Sequence, residues 1–318
     1  LIAGPIVHHY EMLPQFEKLA DRPRLANLVA GMTIFFAGLF KKVILADGVS
    51  GYADSVFDAV AAGTMVSALE AWIGSFAFGF QIYFDFSGYS DMAIGLALMF
   101  GIRLPLNFAS PYKAANIIDF WRRWHMTLSR FLREHLYFPL GGNRGGRTRQ
   151  MRNMMIVMLL GGLWHGAGWG FVLWGGLHGT YLALNHGWRH WGGLKMPPVA
   201  ARGLTMVAVI FAWVPFRAET WPETQALWLA MLGGGSQAAP VIADQGVAVL
   251  LLAAMLAFVW TLPNTQDWSG FAVTDGLPRW ALWRKTTPWA TFNAGLALAA
   301  LAVMVGRPET QAFLYFQF

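Results

Sequence analysis

Long apolar runs separated by shorter polar segments dominate the chain. They cover residues 25–40, 71–84, 88–102, 153–164, 169–185, 203–216, 246–262 and 289–305. Most hold 12 to 17 residues, whereas a helix that crosses about 30 Å of hydrocarbon needs about 20. Flanking Lys, Arg and Trp side chains can reach the membrane interface and make up part of the difference. The pattern predicts an all-α polytopic membrane protein with short or re-entrant helices around a thinned region.

Composition indicates the same class of protein. Hydrophobic residues make up 56% of the chain and charged residues 13%, whereas an ordinary soluble domain has roughly 25% charged residues. With so few polar side chains, much of the surface must face lipid. The sequence has no cysteine, which excludes a disulfide, a thiolate metal site and a cysteine nucleophile within this chain.

Residues 103–152 concentrate the positive charge. They hold ten Lys or Arg and two acids, a net +8 against +6 for the whole chain, so the positive-inside rule places them on the cytoplasmic side. Within them, residues 116–137 have apolar positions near helical spacing and predict one helix with a basic face. Two interpretations stay open, and both can hold: the helix lies on anionic lipid, or its basic face docks an anionic donor from the cytosol.

His165 is the strongest candidate for chemistry. It lies in Gly161-Gly-Leu-Trp-His-Gly-Ala-Gly168, between two apolar runs. An ionisable side chain at membrane depth indicates a functional site. The glycines permit a helix break and the close approach of another backbone or an acyl chain. The alternative is a structural imidazole that is hydrogen-bonded to a neighbouring helix.

Two other histidines carry weaker signals. His125 lies in Trp121-Arg-Arg-Trp-His-Met-Thr-Leu-Ser129 on the predicted basic helix, and the apolar hairpin that follows can fold back and bring it near His165. His178, in Gly175-Gly-Leu-His-Gly179, would lie about 20 Å along the helix axis from His165. We expect it to pack against the other glycine-rich helix. These three histidines lack the short spacing of metal ligands, so no metal site is predicted.

Asp85 and Asp91 are also costly at membrane depth. They are six residues apart, which on a helix is about 600° of rotation, so they face different ways and do not form a paired acid–base site. We expect structural polar residues instead. A helix break at Ser87-Gly88 would let both carboxylates accept hydrogen bonds from backbone or tyrosine donors.

Several motifs follow one another in a specific order. They are Leu1-Ile-Ala-Gly-Pro-Ile-Val7, Gln81-Ile-Tyr-Phe-Asp-Phe-Ser-Gly-Tyr-Ser-Asp-Met-Ala-Ile-Gly95, Leu104-Pro-Leu-Asn-Phe108, Phe120-Trp-Arg-Arg-Trp-His-Met-Thr-Leu-Ser129, Tyr137-Phe-Pro-Leu-Gly-Gly142, Gly162-Leu-Trp-His-Gly166 and Phe313-Leu-Tyr-Phe-Gln-Phe318. Together they resemble the membrane-bound O-acyltransferase family, in its alginate O-acetyltransferase branch. Members usually have several further transmembrane helices before the Gly4-Pro5 region, and we expect this chain to lack them.

The resemblance implies one membrane domain over residues 1–318, a ring of tilted and re-entrant helices around a central funnel with a tunnel. The essential histidine of the family corresponds to His165 and its second histidine to His125. The residues expected to bind substrate are Trp121, Arg122, Arg123, Trp124 and Trp164. Arg133-Glu-His-Leu-Tyr137 departs from the family pattern, so His135 receives no role.

The implied activity is transfer of an acetyl group from cytosolic acetyl-CoA across the membrane. The acceptor would be a periplasmic partner or a hydroxyl of an alginate- or cellulose-type exopolysaccharide, with His165 as general base. No bound cofactor, metal or nucleic acid is expected. The expected partners are membrane lipid and a periplasmic acetyltransferase or polysaccharide-export protein, and the expected location is the bacterial cytoplasmic (inner) membrane, in multi-pass form.

Two alternatives remain. One is transfer of D-alanyl or another acyl group to a cell-wall polymer on the same fold. The other is a proton-coupled transporter that uses the intramembrane His and Asp as a relay. Inverted repeats would favour the transporter, and the sequence shows no such internal symmetry.

Overall fold

The computed structural model describes residues 4–18, 24–190, 192–193, 196–235, 240–271, 286–306 and 313–314, and within those ranges it contains helices and no β-strand. The helices are α1 (His9–Glu17), α2 (Leu25–Phe40), α3 (Asp47–Ala61), α4 (Ala68–Met99), α5 (Ile117–Arg123), α6 (Met126–Leu132), α7 (Arg147–His165), α8 (Trp169–His190), α9 (Pro198–Arg217), α10 (Trp221–Leu229), α11 (Gln245–Thr261), α12 (Thr265–Ser269) and α13 (Thr287–Gly306). The all-α prediction is confirmed. The ring around a funnel stays a prediction.

Three described helical stretches are long and apolar enough to cross a membrane. They are Leu25–Ala61, which joins α2 and α3 through a π-helical segment at Lys41–Ala46, then Pro198–Arg217 and Trp289–Gly306. Several described helices, such as α4 and α9, are longer than the apolar runs within them, whereas short or re-entrant helices were expected.

Helix α4 shows this most clearly. It has 32 residues and includes both apolar runs on either side of Ser87-Gly88, so the predicted helix break is wrong. Ser67 begins the helix by accepting from the backbone N–H of Glu70, whose carboxylate in turn accepts from the backbone N–H of Ser67. Gly88 serves packing instead, since a Cβ there would lie 2.7 Å from the carbonyl oxygen of Gly38 on α2. The missing side chains let α2 and α4 pack with their backbones almost in contact.

The basic segment is broken where one helix was expected over 116–137. Helix α5 ends at Arg123, Trp124 is extended, and α6 begins at Met126. The extended chain before α5 forms hydrogen bonds with backbone groups at the break. The N–H of Met126 donates to the carbonyl of Asn107, and the N–H of Ala109 donates to the carbonyl of Arg123, both at 2.9 Å. These bonds satisfy groups that an uninterrupted helix would have paired internally.

Helices α7 and α8 form a hairpin whose turn lies directly after His165. A Cβ at Gly162 would collide with the carbonyl oxygen of Phe171, and one at Gly175 with that of Met158. The two helices therefore pack at close range through their glycines. This hairpin, together with the break between α5 and α6, borders an aromatic core in which Trp174 and Trp213 are among the largest fully buried side chains.

Candidate active site

His125 occupies the junction of α5 and α6 in a strained backbone conformation. Its φ and ψ are 42° and 54°, in the left-handed region that residues other than glycine seldom adopt. Such a conformation costs on the order of 1–3 kcal/mol and is concentrated at functional sites. The side chain is 2% exposed and packs edge-on against Phe86, with ring centroids 4.8 Å apart.

Asn107 orients the His125 ring. Its side-chain oxygen lies 3.0 Å from His125 Nδ1 and 2.9 Å from the hydroxyl of Thr127, while its Nδ2 donates to Ser90 at 3.2 Å. An amide oxygen only accepts, so Nδ1 of His125 carries the proton and donates. In the neutral ring the lone pair is then on Nε2, which can accept a proton or a hydrogen bond.

His165 is the last residue of α7 and is partly exposed. Its ring contacts Trp164, Trp174 and Phe216 with centroid separations of 5.2, 5.3 and 5.2 Å. Gly166 follows in an extended conformation and turns the chain toward α8. The turn therefore presents this imidazole at the rim of the aromatic core.

Trp164 connects the two histidines. The His125 ring lies 6.3 Å from the Trp164 ring on one side, and the His165 ring lies 5.2 Å from it on the other. The α7–α8 hairpin thus folds back onto the α5–α6 junction and brings both imidazoles to one indole. Trp164 is 42% exposed, so this junction is reachable from outside the core.

His178 lies much closer to His165 than expected. Both rings contact Trp174, at 4.9 and 5.3 Å, so the predicted separation of about 20 Å along the axis is wrong because the hairpin turn resets the path of the chain. His178 is fully buried and packs against aromatic rings of α5 and α9, and its expected packing against α7 stays a prediction. Trp121 Nε1 donates to its Nδ1 at 3.3 Å, while its Nε2 has no partner among the described residues.

The residues expected to bind substrate occupy different surroundings. Trp124 is 3% exposed and packs on Trp213 at 5.1 Å, deep in the aromatic core. Arg123 forms an ion pair with the side chain of Asp119 at 2.9 Å and donates a hydrogen bond to the backbone carbonyl of Ala109 at 3.1 Å. Arg122 is exposed and lines a surface cavity. Trp121 contacts His178, and Trp164 contacts both His125 and His165.

Asp85 and Asp91 form ion pairs with adjacent lysines. Lys42 Nζ lies 2.7 Å from Asp85 and Lys41 Nζ lies 2.6 Å from Asp91. The backbone N–H of Leu314 also donates to Asp85 at 3.0 Å, so the expected backbone donor is present. The π-helical segment after α2 brings both lysines against α4, and the expected tyrosine donors stay a prediction.

Sequence reasoning missed Asn107, Lys41 and Lys42. Asn107 lies within the Leu104-Pro-Leu-Asn-Phe108 motif, a signal that marked the segment without indicating a role for the amide. Lys41 and Lys42 directly follow the apolar run at residues 25–40, a position that indicates the end of the run and no role at depth. Among the described residues, no group of three or more His, Asp or Glu could hold a metal ion.

Comparison with known proteins identifies the family. A family model described as MBOAT, membrane-bound O-acyltransferase family, matches residues 1–217. The chain belongs to this family. The match includes every candidate histidine and the whole basic segment, and it confirms the resemblance found in the ordered motifs.

Relatives in the family act on different polymers according to their names. The chain is 50% identical to a peptidoglycan O-acetyltransferase of Helicobacter pylori over 237 residues, 73% of this chain and 44% of the relative. It is 43% identical to a probable alginate O-acetylase AlgI of Azotobacter vinelandii over 239 residues, 74% of this chain and 46% of the relative. It is 26% identical to a teichoic acid D-alanyltransferase of Streptococcus thermophilus over 200 residues, 58% and 47% of the two chains. The chain therefore spans less than half the length of these relatives.

Proposed function

We propose that this protein is a membrane O-acetyltransferase. It moves acetyl from cytosolic acetyl-CoA to a hydroxyl on the far side of the bacterial inner membrane. The single observation that supports this most strongly is the pair of imidazoles, His125 and His165, on one exposed indole.

His165 is the general base in this proposal, because it is the more exposed of the two histidines and a hydroxyl must reach it. The hydroxyl oxygen bonds to the thioester carbonyl carbon while His165 takes the hydroxyl proton. The C–S bond then breaks, and the proton on His165 passes to the departing thiolate of coenzyme A. General-base help of this kind contributes about 10²–10⁴-fold to the rate.

His125 holds the donor in this proposal. Asn107 accepts from its Nδ1, so the neutral ring presents a lone pair at Nε2 and cannot donate to a developing oxyanion from that nitrogen. A lone pair suits an N–H group, and the pantetheine arm of acetyl-CoA carries an amide N–H near its thioester. A hydrogen bond from that amide would place the carbonyl carbon beside His165.

The basic segment supplies the cytoplasmic docking surface. Its net charge of +8 attracts the phosphates of coenzyme A, and salt should weaken this attraction. A central funnel and tunnel would then carry the thin pantetheine arm to the histidines. The positive-inside rule places the basic segment on the cytoplasmic side of the membrane. In this proposal the donor therefore binds from the cytosol and the acceptor from the opposite side.

The acceptor class follows from the relatives. The names of the two relatives at 50% and 43% identity specify O-acetylation of peptidoglycan and of alginate. We propose an extracytoplasmic carbohydrate polymer, of alginate or cellulose type, reached directly or through a periplasmic acetyltransferase or export partner. The second candidate is D-alanyl transfer to a cell-wall polymer, which the teichoic acid D-alanyltransferase at 26% identity supports.

The test compares His165→Ala with His9→Ala in the full-length protein, expressed in its own host at matched levels. His9 is an exposed histidine on α1 and serves as the matched control. Polymer from each strain is analysed by mass spectrometry for acetyl and for D-alanyl esters. We expect His165→Ala to lower acetyl incorporation by about 10²–10⁴-fold and His9→Ala to leave it unchanged. Normal acetylation in His165→Ala would refute the role of this residue, and D-alanyl esters would favour the second candidate.

A further inference from the structure

Residues of α5, α8 and α9 line a two-chambered groove. Its polar chamber has a volume of about 450 Å³ and includes Asn116, Arg122 and Arg189 in its wall. Its apolar chamber has a volume of about 290 Å³ and includes Leu184 and Leu204. Both chambers share the residues Ala115, Asn116, Asn185, Trp188, Met196 and Ala201. The two cavities therefore form one continuous amphipathic groove, called here the Arg122–Arg189 groove.

The apolar chamber opens on the membrane side of the molecule. Leu204 belongs to α9, one of the three candidate membrane spans, and is 57% exposed. Leu184, across the chamber on α8, is 66% exposed. Exposed leucines on a spanning helix face lipid. Hydrocarbon from the bilayer can therefore enter this chamber sideways.

The polar chamber carries an excess of positive charge. Arg122 and Arg189 are both exposed, and neither has an ion-pair partner among the described residues. The acid in the same wall, Asp119, is already paired with Arg123 at 2.9 Å. Two guanidinium groups in one cavity match the oxygens of a phosphate.

Asn185 adds a second polar requirement. It borders both chambers, and its Oδ1 is buried without a donor among the described residues. A buried acceptor without a partner is unfavourable, so a bound molecule that supplies a hydroxyl there would be favoured. A hydroxylated headgroup next to a phosphate has this chemistry.

We propose that the Arg122–Arg189 groove binds an anionic phospholipid with a hydroxylated headgroup, of the phosphatidylglycerol class. The phosphate lies between the two guanidinium groups, a headgroup hydroxyl donates to Asn185, and one acyl chain fills the chamber bordered by Leu184 and Leu204. The pantetheine arm of coenzyme A fits the apolar chamber poorly, because its amides would lose their hydrogen bonds to water against hydrocarbon walls.

The test is native mass spectrometry of the full-length protein in detergent, titrated with phosphatidylglycerol. The groove variant is Arg122→Gln with Arg189→Gln. The control variant, Arg144→Gln with Arg152→Gln, removes the same charge from exposed positions outside the groove. We expect the groove variant to bind at least about tenfold more weakly and the control to match the unaltered protein, since a charged hydrogen bond contributes about 1.5–3 kcal/mol.

Three outcomes would overturn the proposal: equal binding by both variants, equal binding of phosphatidylcholine and phosphatidylglycerol, or displacement of the lipid by micromolar coenzyme A. The last outcome would assign the groove to the acyl donor. Circular dichroism of each variant checks that helical content is retained. Because no step of the measurement uses acyl transfer, its result is independent of the proposed activity.

Discussion

Two regions bury polar side chains in the apolar part of this protein, and they do so in opposite ways. Between the end of α2 and α4, Lys41 and Lys42 meet Asp91 and Asp85 at 2.6 and 2.7 Å. At the junction of α5, α6 and α7, His125 and His165 lie among aromatic rings around Trp164. The first region pairs opposite charges, and the second surrounds its imidazoles with aromatic rings.

The difference separates structure from chemistry. A buried charge is tolerated only when an opposite charge compensates its lost hydration, and a compensated charge is poorly available for reaction. An imidazole is neutral in one of its two protonation states and can take or give a proton without a permanent partner. Charged residues at membrane depth are therefore a weaker sign of catalysis in this chain than the histidines are.

The largest expected effect on stability comes from Lys42→Met. Lys42 pairs with Asp85 at 2.7 Å and with Asp47 at 2.8 Å, so its loss leaves two buried carboxylates without their cation. Breaking a buried pair costs about 3–5 kcal/mol. We expect a strong fall in the thermal unfolding midpoint of the purified protein and in its yield.

Asp85→Asn and Arg217→Met provide the comparison for Lys42→Met. Asp85→Asn should cost less, because Lys42 keeps Asp47. Arg217→Met breaks a partly exposed pair with Asp54 at 3.3 Å and should cost about 1 kcal/mol or less. If Lys42→Met unfolded at the same temperature as Arg217→Met, the lysine–aspartate network would not be the structural element described here.

The next effect concerns activity. Asn107→Ala removes the acceptor that orients His125, and we expect acetyl transfer to fall about tenfold, since one buried hydrogen bond contributes about 1–3 kcal/mol. In the proposed mechanism His125 holds the donor, so the rise in KM should be larger for acetyl-CoA than for the acceptor. Steady-state kinetics with each substrate varied measures this.

Asn143→Ala is the matched control for Asn107→Ala. Asn143 is exposed and accepts from the hydroxyl of Tyr137 at 2.5 Å, away from both histidines. It should leave both KM values unchanged. A uniform loss of kcat in Asn107→Ala with no change in KM would contradict the donor-holding role of His125.

His178→Phe should have a small effect. The ring is fully buried among Trp121, Trp174 and Trp213, and phenylalanine preserves aromatic packing while removing a nitrogen without a partner. We expect activity within about threefold of the unaltered protein, since the loss is about one neutral hydrogen bond from Trp121. A loss as large as that of His165→Ala would show that His178 takes part in the chemistry.

The smallest effect concerns a partly exposed ion pair. Arg130 lies 2.6 Å from Glu11 and, through this hydrogen bond, lowers the pKa of the Glu11 carboxyl below its ordinary value of 4.5. A depressed pKa in the folded state adds stability above the unfolded pKa, and this stability is lost as pH falls through the folded pKa. Glu11→Gln should remove this part of the pH dependence and change stability by about 1 kcal/mol or less. Thermal unfolding between pH 7 and pH 3 measures it, and an equally steep acid limb in the variant would contradict the assignment.

The sequence predicted the membrane class, the helical fold and the family correctly. A chain of this size with so few polar side chains must expose apolar surface, and lipid is the environment that accepts it. The ordered motifs around His125 and His165 are specific to one family. The hydrophobic pattern gave a wrong prediction at residues 85–91. Two acids in an apolar segment predicted a helix break there, but α4 continues through it. The pattern failed again at residues 116–137, where helical spacing continued through a junction that the backbone of His125 interrupts.

The sequence by itself determined which residues are chemically able to act and which segments are strongly apolar, because both depend on residue type and on the spacing of apolar positions. Only the tertiary structure decided which of these residues meet. Asn107 orients His125, Lys42 compensates Asp85, and Trp164 joins two histidines forty residues apart. The physical reason is that each of these contacts joins residues from different segments, and their positions depend on how glycine-lined helices pack and on where the chain turns back.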